Sequence, residues 1–196
     1  MVALRKPVFT RMTVPEFIAW QPEERSDHRW QLVDGEPVCM APAGQNHGAI
    51  QSETAFLLTS HLRAARPGCR VIIAPGVSPR VRSQSNFRVP DLGVTCSPPS
   101  GGYLVDDPVL LIEILSPSNE SGTRANVWAY STIPSVIDIL LLSASEMKGE
   151  LLTRLPGASW PASPILIGTE DDITFASVGM RTPLRLFYRT TSLFRG

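Results

Sequence analysis

The sequence predicts an α/β protein in which a central mixed β-sheet is flanked by helices. Three observations predict it. Helix-like and strand-like periodicities alternate along the 196 residues, in the order helix, hairpin, long helix, four or five strands, helix, strands. The run "VLLIEIL", Val109 to Leu115, is apolar on both parities except at Glu113, as a central strand covered on both faces must be. From Asn46 to about Ala65, apolar residues recur at Ile50, Phe56, Leu57, Leu58 and Leu62, with Pro67-Gly68 as a stop, which is the pattern of one amphipathic helix.

The elements follow in order. Thr13-Val-Pro-Glu16 is a capping-box pattern with proline in the first turn, so a short helix should run to about Trp20. "WQLVDGEPVCM", Trp30 to Met40, is two short β runs around Asp34-Gly35, a strong hairpin signal. After the long helix, "CRVIIA" and "VSPRVRS" read as strands, and Val81 to Val94 reads as a second hairpin turning through Ser83 to Asn86. Glu120 to Tyr130 is expected to be helical. "VIDILLLS" is a buried strand, paired through Met147 to Gly149 with "ELLTRL". Pro156 to Asp172 is rich in Pro, Gly and Ser and should loop around the apolar "ILI". "ITFASVG" is a late strand, and Thr182-Pro183 opens a last short helix through Tyr188. No repeat and no interdomain linker is visible, so a single domain over residues 1–196 is expected.

Hydrophobic content of 43% against 18% charged residues fits a compact protein with a sizeable core. No segment approaches the ~20 apolar residues of a membrane helix, so no membrane partner is expected. The first twelve residues lack a continuous apolar stretch and a small-residue cleavage site, so a secretory signal is not expected either. Cys39, Cys69 and Cys96 are odd in number and far apart, a pattern that suits reduced thiols in a cytoplasm. Without Cys-x-x-Cys or His-x-x-x-His spacing, a zinc site is not expected. Ser116 lacks the surroundings of a hydrolase nucleophile, and "SGGY" at Ser100 to Tyr103 is not a phosphate-binding fingerprint. His28 and His61 are isolated, and Trp128 fits a helix side buried against strands.

Net charge is zero, but its distribution is uneven. Between Glu53 and Asp91 there is no acid, while Arg63, Arg66, Arg70, Arg80, Arg82 and Arg88 fall in that interval. Arginine favours planar, bidentate contact with phosphate. A solvated face and a phosphate-facing surface both account for the pattern.

Two carboxylates sit in apolar β runs: Asp91 in "NFRVPDLGVTC" and Glu113 in "PVLLIEILSPSN". A buried carboxylate is costly unless paired, hydrogen-bonded or bound to a metal. A divalent cation between two such groups removes both the burial cost and their repulsion, and Mg²⁺ takes one or two carboxylates, waters and phosphate oxygens. The plainer alternative is an ion pair of Glu113 with Arg88 or Arg124, and a turn role for Asp91.

Taken together, "WQLVDGEPVCMAP", "HGAI", "VPDLGV", "PVLLIEILSPSN" and "ANVWAYSTIPSVIDILLL" resemble the Uma-type putative restriction endonuclease family, within the PD-(D/E)XK nuclease superfamily. The resemblance covers Trp30 to Leu142, a recognisable core of about residues 30–142. It implies a restriction-endonuclease-like core, a metal site at one end of the sheet, and hydrolysis of DNA phosphodiester bonds with Mg²⁺ or Mn²⁺. Asp91 and Glu113 would be metal ligands, with the Ile114 carbonyl as a third. Gln31, His47 and Asn126 would be supporting polar groups, and Arg80, Arg82, Arg88 and Arg124 would face nucleic acid. A homodimer is implied because cutting two strands is simplest with two sites.

The chain departs from that family's pattern twice. Leu115 stands where the superfamily's lysine falls, and Asn126 stands where this family moves it. Gln31 stands where a glutamate is common. Neither amide supplies charge. Arg124 could substitute as the cation, but it lies two positions from Asn126, roughly 200° round the helix. The same features suit a catalytically degenerate nuclease fold kept as a nucleic-acid- or protein-binding module.

Overall fold

The computed structural model describes residues 11–20, 29–117, 120–157 and 159–194. Helix α1 (Val14–Ala19) starts at the expected capping box, with Thr13 and Glu16 satisfying each other's backbone N–H groups. The hairpin β1 (Trp30–Val33) and β2 (Glu36–Cys39) turns through Asp34 and Gly35, both at positive φ (50° and 87°). That backbone matches the twist of a two-residue hairpin, which is why Asp-Gly stands there. The amphipathic segment forms α2 (Gln45–Ala65).

A six-stranded mixed sheet carries the molecule, in the order β3 (Arg70–Ile73), β4 (Leu92–Thr95), β5 (Pro108–Leu115), β6 (Asp138–Ser143), β7 (Gly149–Thr153), β8 (Ile165–Ile167). Only β5 and β6 are parallel. The crossover that a parallel pair needs is α3 (Glu120–Ser131). Alternation along β5 then splits the core. Leu110, Ile112 and Ile114 join Ile50, Leu58 and Leu62 of α2 in one apolar cluster. Leu111 joins Tyr130, Ile133 and Val136, at the end of α3 and beyond it, in another. A third cluster of Val14, Phe17, Leu32, Phe87 and Val89 seats α1 and the hairpin.

Several expected elements come out differently. "VSPRVRS" is not a strand: Val77 makes one isolated bridge to Arg88. Pro79 has no N–H to give, and the N–H groups of Arg80 and Val81 turn to the Thr132 hydroxyl. The second hairpin keeps its turn, a 3-10 segment at Ser83–Ser85, but not its ladder. Phe87 pairs with Leu32, Arg88 with Val77, and β4 with β3 and β5. The "ILI" segment is β8, an edge strand. Strand β9 (Asp172–Phe175) is answered by an unexpected β10 (Met180–Pro183), and the last helix is the 3-10 segment Leu184–Tyr188.

The reading of three reduced thiols is also corrected: Cys69 and Cys96 form a disulfide, and Cys39 is free. The antiparallel register pairs Arg70 with Thr95, so the residues just before and just after them face each other. Trp128 is not a core residue; it is 62% exposed, on the opposite side of α3 from buried Asn126 and Tyr130. His28 lies outside the described residues, and His61 ties α2 to the Val178 carbonyl (3.1 Å). Among the described residues, no helix is long and apolar enough to cross a membrane.

Candidate active site

Antiparallel pairing of β4 with β5 sets Leu92 against Ile112 and Gly93 against Leu111. One more step along that register brings Asp91 opposite Glu113. Both carboxylates line a cleft of about 510 Å³, although Asp91 and Glu113 are only 5% and 4% exposed. Gln31, His47 and Asn126 line the same cleft.

Each carboxylate has its own support. Asp91 Oδ2 accepts the Ile114 N–H at 2.7 Å, and Oδ1 lies 3.0 Å from His47 Nε2. Gln51 Nε2 donates to the Asp91 carbonyl at 2.8 Å. His47 and Gln51 are four residues apart on α2 and so share a face. Glu113 Oε1 accepts the Tyr130 hydroxyl at 2.6 Å and Asn126 Nδ2 at 3.3 Å, and these two residues are likewise four apart on α3. Asn126 Nδ2 also reaches Gln31 Oε1 at 3.3 Å.

The electrostatics follow from burial. Glu113 is pushed up to about 8, first by desolvation and then by the Asp91 charge, while bonds from Tyr130, Asn126 and the Asp91 backbone pull it down. The Tyr130 hydroxyl is raised well above the usual tyrosine range by burial and by Glu113. Two buried carboxylates in this relation repel each other.

The arginines divide. Arg80 and Arg82 are exposed, with Arg82 paired to Asp34 at 2.8 Å. Arg124 does not reach the cleft: it pairs with Glu150 (2.8 Å) and Glu120 (3.1 Å). Arg88, grouped with the surface arginines on sequence, is instead buried, and its NH1 donates to Asn126 Oδ1 at 2.9 Å. Sequence reasoning also missed Arg29, which lines the cleft, and the roles of Gln51 and Tyr130. The signal for the latter two was their spacing of four residues from His47 and Asn126.

Among the described residues, no group of three or more His, Cys, Asp or Glu side chains is arranged to hold a metal ion. The cleft holds two carboxylates and the Gln31 and Asn126 amides, and His47, which also lines it, is turned to Asp91 Oδ1. The carboxylate and amide oxygens are a hard set of the kind Mg²⁺ uses with waters completing its shell.

No curated protein matches the chain. A solved structure of a "putative nuclease belonging to DUF820" from Anabaena variabilis is 16% identical; the match covers 91% of this chain and 98% of that one, with a TM-score of 0.68. At that identity the likeness is one of fold. The model of the family Uma2, "Putative restriction endonuclease", matches residues 14–173, and the chain belongs to that family.

Proposed function

We propose that the chain is a divalent-cation-dependent endonuclease that hydrolyses DNA phosphodiester bonds, with Asp91 and Glu113 holding Mg²⁺ or Mn²⁺. The observation that carries it is the pair of opposed, buried carboxylates in one cleft, with Glu113 raised first by burial and then by the Asp91 charge. Such an arrangement costs folding energy unless a cation joins it. The bound cation would polarise the phosphoryl group and acidify a water.

The residues around it have distinct tasks in this reading. The Ile114 N–H and His47 fix the two oxygens of Asp91. Tyr130 and Asn126 hold Glu113 by one oxygen. The Ile114 carbonyl would be a third ligand, as the family resemblance implies. Gln31 and Asn126, joined to each other, orient water without supplying charge. Arg29 at the cleft and the exposed Arg80 and Arg82 contact DNA phosphates, and a second copy of the chain serves the second strand.

A second reading is favoured by one observation: the cleft positions where the family places a lysine and a glutamate hold the two amides Asn126 and Gln31. It makes the protein a nucleic-acid- or protein-binding module without cleavage. Phosphodiester cleavage of plasmid DNA with Mg²⁺ or Mn²⁺, run beside Asp91→Ala, separates the two. The nuclease reading expects cutting that the variant loses. Equal cutting by both proteins, or binding with no cutting by either, defeats it. Light scattering with and without DNA reads the dimer.

A further inference from the structure

Arg88 carries a permanent charge into a place only 7% exposed. Among the described residues it makes no ion pair. Its NH1 and NH2 donate to two neutral amides, Asn126 Oδ1 and Asn86 Oδ1, each at 2.9 Å, and its Nε has no hydrogen-bond partner among the described residues. Asp34 acts on it only at a distance, across Asn86, and a buried cation with no direct ion pair is costly to keep, so its retention calls for a use. What it faces supplies one. Glu113 Oε1 has two side-chain donors, Asn126 and Tyr130. Arg88 bonds the first directly and acts on the second electrostatically. An amide that accepts from a guanidinium at Oδ1 must turn its NH₂ the other way, here toward Glu113 and Gln31. On the far side, Asn86 exchanges two 3.0 Å bonds with Asp34 at the hairpin turn, which anchors the guanidinium from behind.

We propose that Arg88 is the positioning residue of this site: it sets the Asn126 amide and, through Asn126 and Tyr130, gives Glu113 the positive potential that an ammonium at position 126 would supply. This rests on the reading of Glu113 as a metal ligand. It explains how a chain can hold Asn126 where its family holds lysine: the charge has moved to the segment before Asp91. It also entails that Arg88 and a lysine at 126 exclude each other, since two cations would share one buried space.

The test uses four full-length proteins: the wild type, Arg88→Met, Asn126→Lys and the double variant. Mn²⁺ affinity is measured by calorimetry, and cleavage is resolved into kcat and KM. Each single substitution is expected to weaken Mn²⁺ binding by about tenfold and lower kcat at unchanged KM, as loss of a supporting partner does. The double variant should recover most of both, because the lysine then stands alone. Losses that add in the double variant, or an Arg88→Met protein that binds Mn²⁺ like the wild type, overturn the proposal. The side-chain amide of Asn126, followed by NMR, needs neither metal nor cleavage. Its protons should be protected from exchange in the wild type and exposed in Arg88→Met; equal protection in both overturns the proposal. Should Arg88→Met fail to fold, Arg88→Lys keeps the charge, loses the fork between the two amides and is expected to show the same loss of protection. If the wild type binds no Mn²⁺, the metal reading has failed, and the amide signal alone decides the positioning role.

Discussion

The two faces of β5 are buried alike and built differently. On one, Leu110, Ile112 and Ile114 meet Ile50, Leu58 and Leu62 of α2, and none of the six is more than 1% exposed. On the other, Glu113 stands between Leu111 and Leu115 and faces Tyr130 and Asn126 of α3, with Arg88 behind Asn126. The first face gains stability from apolar surface removed from water. The second spends some of it to hold charges out of solvent. Burial by itself therefore does not separate core from site; the distinction lies in whether each buried atom has a reason of its own to be there.

The sharpest way to test that contrast is Asp91→Asn, which keeps the shape and the Ile114 hydrogen bond but removes a charge. Metal-dependent cleavage should fall by about a thousandfold in a gel assay, while the thermal midpoint stays level or rises. Ile112→Ala, one residue from Glu113 but on the apolar face, should do the reverse. It should cost about 3 kcal/mol in urea unfolding and leave cleavage per folded molecule unchanged. If Ile112→Ala also abolishes cleavage at full folding, the division of faces is wrong.

A third effect is read against pH. The folded state raises Glu113 above its unfolded value, so it holds an extra proton between the ordinary carboxylate range and about 8. Its contribution to stability is complete below the unfolded value and is lost as pH rises through the folded one, at up to about 1.4 kcal/mol per pH unit. Metal-free urea titrations from pH 4 to 9 should show that decline, and Glu113→Gln should flatten it. The smallest effect belongs to Arg124→Ala. Its partners lie outside the cleft and the side chain is about half exposed, so stability should change by less than about 1 kcal/mol, with cleavage unaltered. A large loss of activity there would return Arg124 to the site.

Two kinds of signal make parts of this molecule legible in its sequence. Strand β5, helix α2 and the β6–β7 hairpin repeat their patterns over several residues, while α1 and the β1–β2 hairpin are marked by a capping box and an Asp-Gly turn. The pieces held by a single bridge or a few residues, Val77 with Arg88, β8 and β10, leave no comparable trace. The disulfide was hidden for another reason: the pairing depends on the register of β3 against β4, which no spacing of cysteines encodes. Asp91, Glu113, Gln31, His47 and Asn126 line one cleft, and each lies in one of the quoted sequence motifs. On sequence Arg88 reads both as a partner for Glu113 and as one of the phosphate-facing arginines, but its actual bonds to Asn126 and Asn86 depend on how the segment before β4 packs, which no spacing encodes.

Glu113 stands on an interior strand, β5, third of six from the β3 edge, held by β4 on one side and β6 on the other. Inserting or deleting one amino acid upstream within β5 would turn the carboxylate toward the α2 face and bring an isoleucine, Ile112 or Ile114, to face Tyr130. A conservative exchange along that stretch disturbs one position, whereas a change of length reverses every position after it.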